Sequence, residues 1–225
     1  MKILFTHGYF LSEDPKELQI MRPYVPLGIL YISAFLEKHG YENDVFDSTF
    51  STLEKLKEQL IETTPNVVAI YTNLMTKLNV LKIIKYIKTE PLLRNTKIIL
   101  GGPEVRNHTE NFLNYGADFI IIGEGEETTL ELINAIKITD APTQLSMTIS
   151  SIKGLAYIEN GKVITTPERS LIKDINVLPF PAREKIDFNP YLNGWKIHHG
   201  YSTVSYTHLR AHETGRNLVC RLLLE

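Results

Sequence analysis

KIILGGPEVRNHTENFLNYGADFIIIGEGEETTLEL, Lys97 to Leu132, decides the fold. It contains two short apolar runs, Ile98–Leu100 and Phe119–Ile122, each closed by glycine, with an amphipathic segment between them and another behind. Runs this short and this rich in isoleucine read as strands covered on both faces of a parallel sheet, and the mixed segments read as crossover helices. The stretch is therefore a βαβα unit. Ligands of such sheets lie just beyond the carboxyl ends of the strands, which here are Gly101-Gly102-Pro103-Glu104 and Gly123-Glu124-Gly125-Glu126. Glycine at both ends leaves the backbone open to a large ligand. A side chain at Gly101 or Gly102 is expected to obstruct that ligand and leave the strands intact.

The same alternation runs back to the N-terminus. Lys2–Phe5 is a first, central strand ending in Thr6-His7-Gly8, followed by a loop to about Val25 and a helix, Leu27–His39, closed by Gly40. Tyr41–Phe46 is the second strand, ending at Asp47, and Thr52–Glu62 is a polar helix carrying Leu53, Leu56, Leu60 and Ile61 at helical spacing. Asn66–Tyr71 is the third strand, ending in Thr72-Asn73-Leu74. The helix Lys77–Thr89 follows, with Leu78, Leu81, Ile84, Tyr86 and Ile87 expected on its buried side. Five strands and five helices over residues 1–137 predict a Rossmann-like, doubly wound, five-stranded parallel sheet in flavodoxin-like order. Beyond it, Lys137 to Ser151 reads as a polar connection. Gly154–Ile158 and Lys162–Thr166 form a hairpin around Asn160-Gly161, and Pro167 to Trp195 reads as an extended connector.

Composition narrows the function classes. A chain of 225 residues, 43% hydrophobic, buries a full core, and a net charge of −2 gives no basic excess for nucleic acid or an anionic membrane. No apolar run reaches the roughly 18 residues of a membrane span, and the N-terminus lacks a signal-peptide profile, so a cytoplasmic location is expected. Cys220 is the single cysteine, which excludes an internal disulfide and a cysteine-built metal site within these residues.

The order of signals resembles the N-terminal part of cobalamin-binding-domain radical SAM proteins. The matching residues are Pro26-Leu27-Gly28, Asp47, Gly101-Gly102-Pro103-Glu104, and Asp118 with Gly123-Glu124-Gly125-Glu126. Downstream they are Gly154-Leu155-Ala156-Tyr157, Asn160-Gly161 and Leu178-Pro179-Phe180-Pro181-Ala182-Arg183, which resemble that family's linker into its barrel. The resemblance covers roughly residues 1–203. It implies a cobalamin-binding domain over residues 1–137 and a hairpin and linker over 138–203. The resemblance implies a radical SAM barrel beyond them, with methyltransferase type among its options, holding S-adenosylmethionine and a four-iron, four-sulfur cluster on Cys-x3-Cys-x2-Cys. The chain carries no such motif and is not expected to be catalytically active as it stands. Val204–Thr214 and Leu218–Glu225 resemble translated sequencing-adapter and primer-site sequence, so the native chain is expected to end near Thr203 and residues 204–225 to be a non-native tail.

On this resemblance the cofactor-binding candidates are Thr6, His7 and Gly8 after strand one, and Thr72, Asn73 and Leu74 after strand three. Gly101, Gly102, Pro103 and Glu104 follow strand four, and Gly123, Glu124, Gly125 and Glu126 follow strand five. For Glu124 and Glu126, favourable placement at a helix start is an equally good reading. Thr72-Asn73-Leu74 also reads as an ordinary polar loop. His7 is the only candidate lower axial ligand, yet the base-displacing motif Asp-x-His-x-x-Gly would place Asp and Gly where Phe5 and Phe10 stand. His7 is therefore expected not to ligate cobalt, and no metal ligand or catalytic residue is assigned. A phosphoacceptor receiver lacks its acidic pair and lysine here, and the bulky His7-Gly8-Tyr9-Phe10-Leu11 suits neither a flavin phosphate loop nor a dinucleotide fingerprint. The alternative function is a stand-alone corrinoid carrier or a degenerate protein-docking module.

Overall fold

The computed structural model describes residues 1–138 and 142–201; the expected tail, residues 204–225 with Cys220, lies outside the described residues. The chain divides into two units, residues 1–10 with 27–186, and residues 11–26 with 187 onward.

The first unit is built on β1 (Ile3–His7), β2 (Asp44–Val45), β3 (Val67–Tyr71), β4 (Lys97–Gly101), β5 (Phe119–Ile121), β6 (Leu155–Glu159) and β7 (Lys162–Thr165). Their order in the sheet is β2-β1-β3-β4-β5-β6-β7. The first five are parallel and follow the expected flavodoxin-like order. The hairpin extends the same sheet, with β6 antiparallel to β5 and β7 antiparallel to β6. Asn160 and Gly161 join its strands, both at positive φ, 50° and 74°, as a tight primed turn requires.

Alternate side chains of each strand enter two cores. On one face Leu4, Val68, Ile70, Ile98 and Leu100 meet α3 (Leu53–Thr63), α4 (Lys77–Thr89) and α6 (Thr109–Tyr115). On the other, Phe5, Val67, Ala69, Ile99 and Ile121 meet α2 (Leu27–Lys38) and α7 (Glu126–Ile138). Burial on both faces is what the continuous apolar runs encode. Truncating one of the leucines or isoleucines among them to alanine costs about 2–5 kcal/mol.

Several expectations need correction. The second strand pairs only at Asp44 and Val45, and just before it the buried side-chain amide of Asn43 bonds to Ser33 and to Tyr41 O. The crossover after β4 breaks at His108 into α5 (Pro103–Asn107) and α6. Part of the expected polar connection is a helix, α8 (Pro142–Ile149), whose Ile149 joins the second core. In α4 the buried residues are Val80, Ile83, Ile84 and Ile87, and Leu78 is 72% exposed.

The segment after the hairpin is strapped to the helices of the first unit. Arg169 bonds to Thr128, Glu127 and Glu131 of α7, and Ala182 N–H donates to Leu30 O of α2. Lys185 pairs with Glu37 at 2.7 Å.

The second unit contains α1 (Pro15–Ile20) and α9 (Asn189–His199), where a loop and an extended connector were expected. Asp14 caps α1 by accepting from the N–H groups of Lys16 and Glu17. Pro190 falls in the first turn of α9, where its missing N–H is not needed, so a proline-containing stretch still makes a helix. Trp195 Nε1 donates to Pro23 O at 2.9 Å, and His199 Nε2 lies 3.0 Å from Ile20 O. His199 is thus a bonded side chain.

Candidate functional site

The loops after β1, β3, β4 and β5 lie side by side on the carboxyl edge, because His7 pairs with Tyr71 and Tyr71 with Gly101 across neighbouring strands. The sheet register therefore brings the first three groups of candidate residues together, and β5 carries the fourth next to them.

At the end of β1 the polar groups are turned inward. Thr6 is fully buried, with its hydroxyl 3.1 Å from Ser48 Oγ. His7 is 3% exposed. Its Nδ1 accepts from Tyr9 N–H at 3.2 Å, and its Nε2 lies 3.0 Å from Asp47 Oδ1 and accepts from Ser48 N–H at 3.3 Å. The carboxylate missing two residues before His7 is thus supplied from the end of β2, forty residues on. The imidazole is held inside the fold by both nitrogens. A Cβ on Gly8 would stand 2.8 Å from Thr76 O and 2.9 Å from Val80 Cγ2, so this glycine lets the chain pass the start of α4.

The end of β3 is different. Thr72 is fully buried, its N–H donates to Gly101 O at 2.8 Å, and its Oγ1 is the one buried side-chain polar atom among the described residues without a hydrogen-bond partner. An orphaned buried hydroxyl costs about 1–3 kcal/mol. Asn73 and Thr76 close a reciprocal pair. Asn73 Oδ1 accepts from Thr76 N–H and Thr76 Oγ1 from Asn73 N–H, each at 3.0 Å. Leu74 lies in this locked turn, 76% exposed.

The two glycines after β4 are not equivalent. Gly102 has φ 107°, and a Cβ there would collide with the carbonyl oxygen of Thr72 and approach Tyr71 Cε2 to 3.0 Å. Its role is to let the strand ends close, which corrects the expectation that a side chain here leaves the fold intact. A Cβ on Gly101 would meet nothing within 4 Å, so that position is open. Pro103 starts α5, and Glu104, 8% exposed, pairs with Lys77 Nζ at 2.9 Å and His108 Nε2 at 3.3 Å.

After β5, Gly123 makes a turn at φ 94°, and a Cβ on Gly125 would approach Ile32 Cδ1 to 2.8 Å, so Gly125 serves the contact of α7 with α2. Glu124 Oε2 accepts from Ile172 N–H at 2.6 Å. Burial pushes the Glu126 carboxyl above the usual range, the neighbouring Glu124 and Glu127 push the same way, and hydrogen bonds at the Gly125–Glu126 backbone partly oppose them. Among the described residues no cluster of His, Cys, Asp and Glu is arranged to hold a metal ion, and no helix is long and apolar enough to cross a membrane.

The sequence reading missed Met75 and Leu78, which with Leu74 leave three large apolar side chains exposed at the mouth of β3. An apolar pair in a loop after a buried strand was the available signal.

Comparison with known proteins places this edge in a family. The profile of the B12 binding domain matches residues 20–133, just over half of the chain. An uncharacterized methyltransferase of Pyrococcus horikoshii is 28% identical over 175 residues, covering 74% of this chain and 35% of the relative. The anaerobic magnesium-protoporphyrin IX monomethyl ester cyclase of Cereibacter sphaeroides is 27% identical over 181 residues, covering 78% and 28%. The chain thus spans about a third of the length of these relatives. The fold matches the cobalamin-dependent S-adenosylmethionine radical enzyme OxsB with aqua-cobalamin bound, at TM-score 0.64 and 18% identity, over 80% of this chain and 24% of that one. It also matches the radical S-adenosylmethionine methyltransferase TsrM from Kitasatospora setae, at TM-score 0.57 and 17% identity, over 86% and 33%. The matched residues run from α1 to α7 and include the strand ends at Thr72 and Gly101; the chain belongs to the B12 binding domain family.

Proposed function

We propose that this chain is the cobalamin-binding portion of a radical SAM enzyme and that the cofactor enters the carboxyl edge between the ends of β3 and β4. The observation that carries the reading is the unpartnered, buried Thr72 hydroxyl next to the open position at Gly101. A ligand that parts this seam and brings an acceptor removes the penalty of the orphan. Only a narrow group reaches an atom buried between two strands, so the nucleotide tail is assigned to this slot and the broad corrin stays outside it. Bound cobalamin supplies a cobalt centre that can carry an alkyl group.

The residues of the chain divide the remaining work. Gly102 sets the closure of the strand ends, Glu104 with Lys77 ties the β4 loop to α4, and Glu124 ties the β5 loop to Ile172. His7 is occupied by Tyr9 and Asp47, which supports a cobalt without an imidazole from this position. S-adenosylmethionine and an iron–sulfur cluster are assigned to a region of the whole protein outside this chain, consistent with a single cysteine and the third of the relatives' length that it spans. A titration with cobalamin and with cobinamide, which has the corrin but not the nucleotide tail, tests the slot. Thr72→Val should weaken cobalamin and leave cobinamide unchanged; equal affinities of parent and variant for cobalamin would remove the tail from this seam.

A further inference from the structure

We infer that β7 pairs with β7 of a second copy of this chain, joining two seven-stranded sheets edge to edge about a two-fold axis at Ile164. β7 is the edge strand, with β6 on its one paired side. The opposite edge, β2, pairs over two residues and offers little to a neighbour. The tight turn at Asn160-Gly161 settles which backbone groups of β7 face outward. A two-residue hairpin makes Glu159 and Lys162 a hydrogen-bonded pair, so Ile164 also bonds inward, to Tyr157, while the N–H and C=O groups of Val163 and Thr165 point away from β6. Thr166 N–H, donating to Leu155 O at 2.9 Å, keeps the same alternation. Among the described residues none of those outward groups has a backbone partner.

Antiparallel pairing of this edge with its own copy satisfies all of them. With Ile164 opposite Ile164, Val163 stands opposite Thr165 of the second copy and Thr165 opposite its Val163, which makes two hydrogen-bonded pairs. Centring the axis on Thr165 would set Val163 against Pro167, which has no N–H, and centring it on Val163 would set Thr165 against the turn residue Gly161. The side chains suit the same register. Ile164 is half-buried and meets its own copy on the face of the second core. Lys162, the one ionised residue of β7, falls opposite Thr166 and diagonal to Glu168 of the second copy, so opposite charges approach and like charges do not. The turn on one side and Pro167 on the other bound the edge to a single short strand, which favours a closed pair over open-ended aggregation.

The test uses the full chain in a Cys220→Ser background, which leaves no other thiol. In sedimentation equilibrium the mass should rise with concentration from one chain towards two. Thr165→Pro removes an outward N–H at a position where an edge strand accepts proline. It should weaken association at least about tenfold with an unchanged circular dichroism spectrum. Ile164→Cys brings two sulfurs together across the axis in a non-hydrogen-bonded pair, where Cα atoms lie about 4.5 Å apart, within disulfide reach. That variant should form a covalent dimer on oxidation, whereas Lys162→Cys, two residues from the axis, should not. The cysteine variants decide the matter if proline unfolds the hairpin. A chain that stays single at every concentration, with Ile164→Cys not cross-linked, would overturn the pairing. Association that a folded Thr165→Pro leaves unchanged, or cross-linking at Lys162 and not at Ile164, would overturn it as well.

Discussion

The carbonyl oxygen of Thr72 occupies the space that a Cβ on residue 102 would need, whereas a Cβ on residue 101 would enter open space. Adjacent glycines on one loop therefore do different things. Gly102→Ala should lower stability by roughly 1–3 kcal/mol, since it combines a positive φ with a clash against backbone. Gly101→Val, with a β-branched residue at the end of a strand, should melt within a degree or two of the parent. Thermal denaturation of the two variants separates these outcomes.

His7→Ala should destabilise the domain by about 1–3 kcal/mol, because the ring is the shared partner of Tyr9 N–H and the Asp47 carboxylate in a buried setting. The visible spectrum of bound cobalamin should not change. Electron resonance of the cobalt(II) form should show no imidazole coupling in the parent; a coupling that disappears in the variant would make His7 a ligand.

The Glu126 carboxyl has a raised pKa in the folded chain, chiefly through burial. A raised folded-state value gives stability that is present below the unfolded pKa and is lost as the pH rises through the folded one. Glu126→Gln removes that loss. The melting temperature of the variant relative to the parent should therefore climb from about pH 3 to about pH 7. A difference that is flat, or falls, would contradict the burial of this carboxyl.

Thr72→Val should stabilise the ligand-free domain by about 1 kcal/mol, because it replaces an orphaned hydroxyl by a methyl of the same shape. The same change should weaken cobalamin. Opposite signs in a urea melt and a binding titration are what an unsatisfied group kept for a ligand predicts.

Periodicity carried much of this architecture. The limits of α4 and the Asn160-Gly161 turn were legible because a strand period, a helix period and turn chemistry each act locally. What was not legible depended on distant partners. Asp47 supplies the carboxylate for His7 across the first two strands, and the roles of Gly101 and Gly102 are decided by where the β3 loop runs. Leu78 was misplaced because its apolar side chain fits the helical repeat, although the helix is rotated to bury Val80 and Ile84. The helix at Asn189–His199 was hidden by Pro190, which a first turn accommodates.

The most direct test is a visible-absorbance titration of cobalamin with the parent chain and with Gly101→Val, at equal and verified folding. Binding at the open edge between β3 and β4 predicts a saturable spectral change in the parent and an affinity at least about tenfold weaker in the variant, the factor that about 1.4 kcal/mol represents. No saturable change in the parent, or the same affinity in both proteins, would contradict it.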